Sequence, residues 1–216
     1  MNNTSFWEFF NAIAYPQLAH RKDSLKHVFE HLDSLNRAVF IVETGCVRNA
    51  GTWAGEGQST VLFDHFVASL PGSVMHSVDL DPQATALCRS LVSERVQVHT
   101  SDSVAFLRTL AANPPQGFEH LDVLYLDSYD VDWSAPHPSA LHHMKELLAI
   151  APLVGPGTLV VVDDAPLEAM LIPNNDGIAF VSSPQISGKG KYVADYAQNI
   201  GIKPVFSGYQ VGYKGF

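Results

Sequence analysis

Cysteine is nearly absent: Cys46 and Cys88 are the two in 216 residues. Two cannot build a disulfide framework, so a reducing, cytoplasmic setting is expected. Basic residues are also scarce, with 13 Lys and Arg against 22 Asp and Glu and a formal net charge of −9. Neutralising phosphates needs clustered Lys and Arg, so nucleic acid is excluded as a general partner. No stretch approaches the roughly 20 apolar residues that span a bilayer, and no membrane partner is expected. The opening MNNTSFWEFFNAIAY lacks a basic region followed by a continuous apolar run, so it does not read as a signal peptide. Internal repeats and low-complexity tracts are missing too. What is present, 46% hydrophobic and 16% charged residues, describes an ordinary globular chain long enough for one full core.

The organisation is that of a single domain over 1–216, with 1–36 as an N-terminal helical cover. Within that cover Leu25, Val28, Phe29, Leu32 and Leu35 form one stripe at helical spacing. Strand and helix then alternate. AVFIVE (38–43), SVMHSVD (73–79), VQVHT (96–100), LDVLYLD (121–127) and GTLVVVD (157–163) read as strands. Helices are expected at 59–70, 82–94, 102–112 and about 138–150, with Pro82 at a tolerated first-turn position and Asp102 as an N-cap. Strands apolar on both faces, joined by amphipathic helices, imply an α/β fold with a parallel sheet covered on both sides. After 164 the pattern loosens into loop rich in Pro, Gly, Asn and Ser, with one short strand at 178–182. A helix near 190–200 and the pair KPVFSGY and QVGYKGF follow, the pair reading as an antiparallel hairpin at a sheet edge.

Acids mark the strand ends. Glu43, Asp79, Asp127 and Asp163 close the first, second, fourth and fifth strands, and Asp102 stands just past the third. Ligands of open α/β sheets bind outside the carboxyl ends of the strands, near the switch in strand order. Acids also end strands as caps and turn residues. A whole row of them on one rim, however, calls for hydroxyls or positive charge among them.

V-E-T-G-C (42–46), V-D-L-D-P (78–82), T-S-D-S (100–103), L-D-S-Y-D (126–130) and V-V-D-D (161–164) resemble, in order and spacing, the successive motifs of class I S-adenosylmethionine-dependent methyltransferases. The similarity covers about residues 38–164 and is greatest to metal-dependent O-methyltransferases of the catechol and caffeoyl-CoA type and to the macrocin and mycinamicin sugar O-methyltransferases. It implies a doubly wound, mostly parallel seven-stranded sheet of Rossmann-like methyltransferase type with an antiparallel C-terminal hairpin. The cofactor implied is S-adenosyl-L-methionine. Glu43, Gly45, Gly57 and Ser59 match the loop that holds its methionine part, where helix N-terminal amides suit a carboxylate. Asp79 matches the acid that takes the ribose hydroxyls, Leu80 lies against adenine, and Asp102, Ser103 and Tyr129 match adenine contacts. The stretch from Gly45 to Gly57 is longer than the family's compact loop, and Trp53 within it reads either as a wall of the acceptor site or as packing for its own loop.

The same resemblance implies a divalent cation, Mg²⁺ or a similar ion, held by Asp127, Asp163 and Asp164. An all-oxygen set suits such a hard ion, which would hold two neighbouring hydroxyls of a catechol, sugar or other diol and acidify one of them. Relatives carry Lys or His three residues after the fourth-strand acid, whereas this chain has Asp130. Asp130 and Asp127 are therefore the catalytic candidates, Asp130 as a base if burial or neighbouring carboxylates raise its pKa. His137, His142 and His143 follow closely as alternatives. The partner expected is a small-molecule acceptor with hydroxyl groups, the chain acting alone or as a homodimer.

Three other readings compete. The 22 residues from Gly57 to Asp79 suit an NAD-dependent oxidoreductase of Rossmann type, although GEGQST lacks the third glycine of GxGxxG. His27, Glu30 and His31 fit the H-x-x-E-H zinc signature, without an obvious third ligand. The exchange of Lys or His for Asp130 favours a non-catalytic S-adenosylmethionine-binding protein.

Overall fold

The computed structural model describes residues 3–166, 170–174, 177–181 and 185–216. Its parallel strands are β1 (Phe40–Thr44), β2 (Val74–Asp79), β3 (Val96–Thr100), β4 (Val123–Leu126) and β5 (Leu159–Val162). They are completed by β8 (Pro204–Ser207) and β9 (Val211–Tyr213), giving seven strands in the order β3-β2-β1-β4-β5-β9-β8. β9 runs antiparallel to β5 and to β8, as the expected C-terminal hairpin requires, and it lies inside the sheet with β8 at the edge. The strand order reverses between β1 and β4, and a ligand crevice belongs above that point.

Alternation along the central strands explains the two-sided burial. Ile41, Val123, Tyr125, Leu159 and Val161 face one core, while Phe40, Val42, Leu124, Leu126, Val160 and Val162 face the other. The first core is roofed by α4 (Ser59–Val67) and by the N-terminal segment, whose Phe6, Phe10, Val28, Phe29 and Leu32 are buried. The second lies under α6 (Ser103–Ala112), α7 (His137–Ile150) and α8 (Lys191–Asn199). Burying one phenylalanine of this size is worth about 3 kcal/mol, so the N-terminal cover is a structural layer as well as a roof.

Local chemistry sets the helix starts. Asp81 caps α5 (Pro82–Leu91) by accepting from the Gln83 N–H at 2.8 Å, with Pro82 at the first position. Asp102 caps α6 by accepting from Ala105 N–H at 2.8 Å, as its sequence position predicts. The cover is less regular than expected. α1 (Thr4–Phe9) passes through a π turn and two 3₁₀ turns containing Pro16 before α2 (Lys22–Ser34) begins. This break leaves Arg21 at the head of α2, buried, with its side chain directed to the sheet rim.

Two loops hold more structure than the sequence suggests. The stretch 46–58 contains α3 (Trp53–Glu56), and Trp53 packs on Phe9 at 6.3 Å between ring centroids, so it belongs to the N-terminal cover. β6 (Met170–Asn174) and β7 (Gly177–Val181) form a separate antiparallel ribbon where a single short strand at 178–182 was expected. Residue 182 lies outside the described residues. Among the described residues, no helix is long and apolar enough to cross a membrane.

Candidate functional site

The carboxyl ends of β1, β2 and β4 form the rim above the switch point. Gly45 follows β1 with φ of +80°, and its N–H donates to the Val78 carbonyl at 2.8 Å. A Cβ there would lie 2.5 Å from the Asp127 carbonyl oxygen, so only glycine lets the β1 loop pass so close to the end of β4. Gly57 ends α3 at φ +72°, and a Cβ on it would meet the Arg21 side chain at 2.8 Å.

Beneath this loop lies Glu43, wholly buried. Ser59 and Thr60 at the head of α4 and Ser77 on β2 each donate a hydroxyl to its carboxylate at 2.6 Å. Burial pushes Glu43 up to about 7, against the pull of these three hydroxyls. Glu43 and the Ser59 hydroxyl therefore support the loop from below.

Asp79 stands differently. It is half-buried at the end of β2, accepting from the Cys46 N–H at 3.2 Å and the Asp81 N–H at 2.8 Å. Two backbone donors orient the carboxylate and leave acceptor capacity on both oxygens. Leu80 beside it is 72% exposed, and Tyr129 after β4 is 50% exposed. Asp102 is exposed and occupied as a cap, while Ser103 is buried with its hydroxyl 3.0 Å from His142 Nε2.

A second network, not foreseen from the sequence, underlies the rim. Glu146 of α7 is fully buried and accepts from Thr44 Oγ1 at 3.1 Å and Ser128 Oγ at 2.6 Å, with His142 Nε2 at 3.3 Å. One carboxylate thus joins the ends of β1 and β4 to α7 and, through His142, to α6.

The three acids expected to hold a metal do come together, but around two side-chain cations. Arg21 Nε donates to Asp163 Oδ2 at 2.8 Å, and its Nη2 reaches Asp164 at 3.2 Å. Lys189 donates to Asp127 Oδ1 and lies 3.0 Å from Asp164 Oδ2. Tyr209 adds a hydrogen bond to Asp164 at 2.5 Å, and Tyr125 donates to Asp163 at 3.0 Å. Burial works against the Lys189 ammonium, yet Asp127, Asp164 and Asp163 outweigh it and raise its pKa. Burial would likewise raise Asp164, but Lys189 and the Tyr209 hydroxyl hold it below the usual range.

In this arrangement Lys189 stands where the sequence resemblance places a metal. An ion bound by Asp127 and Asp164 would sit at about 2 Å from their oxygens, where the Lys189 ammonium already stands. Among the described residues, no group of three His, Cys, Asp or Glu is arranged to hold a metal ion. The residues present do not fit Mg²⁺.

Asp130, the expected base, is paired with a cation. It is exposed and accepts from Arg48 Nη1 at 2.8 Å, and that bond holds its carboxyl below the usual range. A base needs the opposite shift. Of the histidine alternatives, His143 is enclosed in the core, His142 serves Glu146, and His137 is 2.8 Å from the Tyr192 hydroxyl. The zinc pattern fails too, because His31 lies between the Asp122 carbonyl at 3.2 Å and Lys214 at 2.8 Å.

Arg21, Arg48, Asp127, Asp164, Trp133 and Tyr209 line a cavity of about 380 Å³ beside the rim. Arg21, Lys189 and Glu146 were missed by sequence reasoning. Glycines on both sides of Lys189 were its one signal, since Gly188 (φ +58°) has no room for a Cβ against the Asp164 carbonyl.

No protein-family model matches the sequence, and no curated protein sequence matches it. Solved structures do. The chain is similar to CalS11, a TDP-rhamnose 3′-O-methyltransferase of calicheamicin biosynthesis, at 15% identity and a TM-score of 0.52, over 99% of this chain and 92% of that one. It is similar to an S-adenosylmethionine-dependent methyltransferase from Anabaena variabilis at 8% identity and a TM-score of 0.51, over 100% and 96% of the two chains. The fold is therefore the Rossmann-like fold of class I methyltransferases.

Proposed function

We propose that this chain is an S-adenosylmethionine-dependent methyltransferase that methylates a hydroxyl group of a small molecule. The observation that carries the reading is Asp79, oriented by two backbone N–H groups at the switch point beside the exposed Leu80. A carboxylate so placed takes both hydroxyls of a ribose. Leu80 and Tyr129 offer apolar surface for adenine, with the backbone around Asp102 and Ser103 at its edge. The Gly45 loop and the start of α4 receive the methionine part. The cavity beside Asp127 would receive the acceptor, S-adenosylmethionine would supply an electrophilic methyl group there, and a rim carboxylate or water would take the hydroxyl proton. Positioning and exclusion of water supply most of the rate.

Calorimetric titration with S-adenosylmethionine and, separately, with NAD tests the cofactor. Binding of the first and not the second is expected; the reverse selects the oxidoreductase. Transfer of a labelled methyl group to hydroxylated acceptors tests the reaction and separates an enzyme from a protein that only binds the cofactor.

A further inference from the structure

We infer that the Lys189 ammonium is the resident cation of this site, standing in the place of a divalent ion, so that the acceptor is held without metal chelation. The inference rests on the methyltransferase reading for what the site is, but not for the geometry.

Four observations converge. Lys189 is 1% exposed, so its charge is not a surface feature. Its ammonium contacts Asp127 and lies 3.0 Å from Asp164 Oδ2, with the Asp127 carbonyl 3.4 Å away. The turn that delivers it is locked: the Lys189 N–H donates to the Asp164 carbonyl at 3.0 Å, and Ser187 bonds the Pro166 carbonyl through both its N–H and its hydroxyl. Finally, Gly188 and Gly190 have no space for a side chain against Asp164 and Ala165. The turn fixes the Lys189 backbone, and the buried ammonium is held by its pairing with both carboxylates. A second cation within bonding range of the same oxygens would face strong repulsion across a medium far less screening than water.

The chemical consequence concerns the acceptor. An ammonium has three donors, and here they point at protein oxygens, so Lys189 does not grip a diol as a metal would. Asp127 and Asp164 share the cavity wall with Arg48, Glu56, Asp130 and Tyr209, so an acceptor meets hydrogen-bonding side chains there in place of a metal. The substrate class this fits is a hydroxyl compound held by side-chain hydrogen bonds, with no need for two adjacent hydroxyls. Lys189 itself acts as a positioning residue that keeps two carboxylates together at the rim.

Mn²⁺ titration followed by electron paramagnetic resonance tests this directly, since protein-bound Mn²⁺ loses the sharp signal of the free ion. The wild type is expected to show no Mn²⁺ binding that Asp127→Asn removes. Lys189→Met, which vacates the position, is expected to bind Mn²⁺ at least about tenfold more tightly than the wild type. Wild-type binding that Asp127→Asn abolishes overturns the inference. A folded Lys189→Met protein with no gain in affinity also overturns it, because the ammonium would then not occupy a cation's place. Should that variant fail to fold, the wild-type titration still decides. S-adenosylmethionine titration of the same preparations is scored separately: its failure removes the methyltransferase reading and leaves the Mn²⁺ result standing.

Discussion

Arg21 and Asp163 stand 142 positions apart in the chain and meet at 2.8 Å, both buried. The guanidinium reaches from the head of α2 across the sheet to the end of β5, passing under the Gly55 carbonyl, to which it donates at 2.9 Å. Tyr209 packs on its other side, 4.6 Å from ring centroid to the guanidinium carbon. The N-terminal cover is thereby fastened to the acidic rim.

Removing that side chain leaves buried carboxylates without their partner, which costs about 3–5 kcal/mol. Arg21→Met is accordingly expected to lower Tm by roughly 10 °C for a chain of this size. Thermal unfolding followed by circular dichroism measures it. An unchanged Tm would show that the pair does not form in solution.

Asp79 is tested by its amide. Asp79→Asn keeps one acceptor for the two backbone N–H groups, turns the other oxygen into a donor facing the second N–H, and weakens the paired bonds to a ribose. Charge-assisted bonds of this kind are worth about 1.5–3 kcal/mol, so affinity for S-adenosylmethionine should fall roughly 10- to 100-fold. Isothermal titration calorimetry reads the loss, and Tm should fall by roughly 2–6 °C as one backbone N–H loses its acceptor. Equal affinity in the two proteins would place the ribose elsewhere.

Two glycines with the same backbone geometry test the close approach at the rim. Gly45 and Gly51 have φ of +80° and +72°, but a Cβ on Gly51 meets nothing within 4 Å, whereas on Gly45 it meets Asp127. Gly51→Ala should cost about 1 kcal/mol from backbone strain alone. Gly45→Ala should cost at least about 2 kcal/mol more and should also weaken cofactor binding. Urea unfolding compares them; equal losses would mean that the loop moves away freely.

Acid should destabilise the fold through two histidines. Burial lowers both His76, which also faces His99, and His143 to about 4 from an ordinary value of 6.5. At these two sites the unfolded chain therefore binds more protons than the native one between these values, whereas Glu43, raised to about 7, contributes with the opposite sign. The histidine contribution is fully present above about pH 6.5 and is lost as pH falls toward 4, by up to about 3 kcal/mol for each group. His76→Leu, set among Phe40 and Phe106, should flatten part of that slope in urea unfolding across the range. Parallel slopes for variant and wild type would exclude His76 as a source.

The sheet was legible because its signals are local. Apolar β-branched runs ended by acids located β1 to β5, and Asp102 marked the start of α6 correctly. Ser59 opens α4 where expected. The row of acids was legible as a rim, but not its partners. Nothing near Arg21 in the sequence points to Asp163, and a proline-containing break in the cover decides where that side chain lands. Lys189 sat in a stretch rich in Gly and Ser that reads as loop, so its charge was unplaced while the acids suggested a metal. Asp130 read as a base only in the absence of Arg48, which is 82 residues away in the chain and bonded to it in space.

Glu146 gives the site a mechanical character. By holding Thr44, Ser128 and His142 at once, it ties the ends of two strands and the neighbouring helix to a single buried anion. On the proposed reading the rim is preorganised: its dipoles are fixed before any ligand arrives, and little reorganisation energy would remain at the moment of reaction. Adaptation to different acceptors would then fall to the exposed side chains around the cavity, which can change without disturbing the network beneath them.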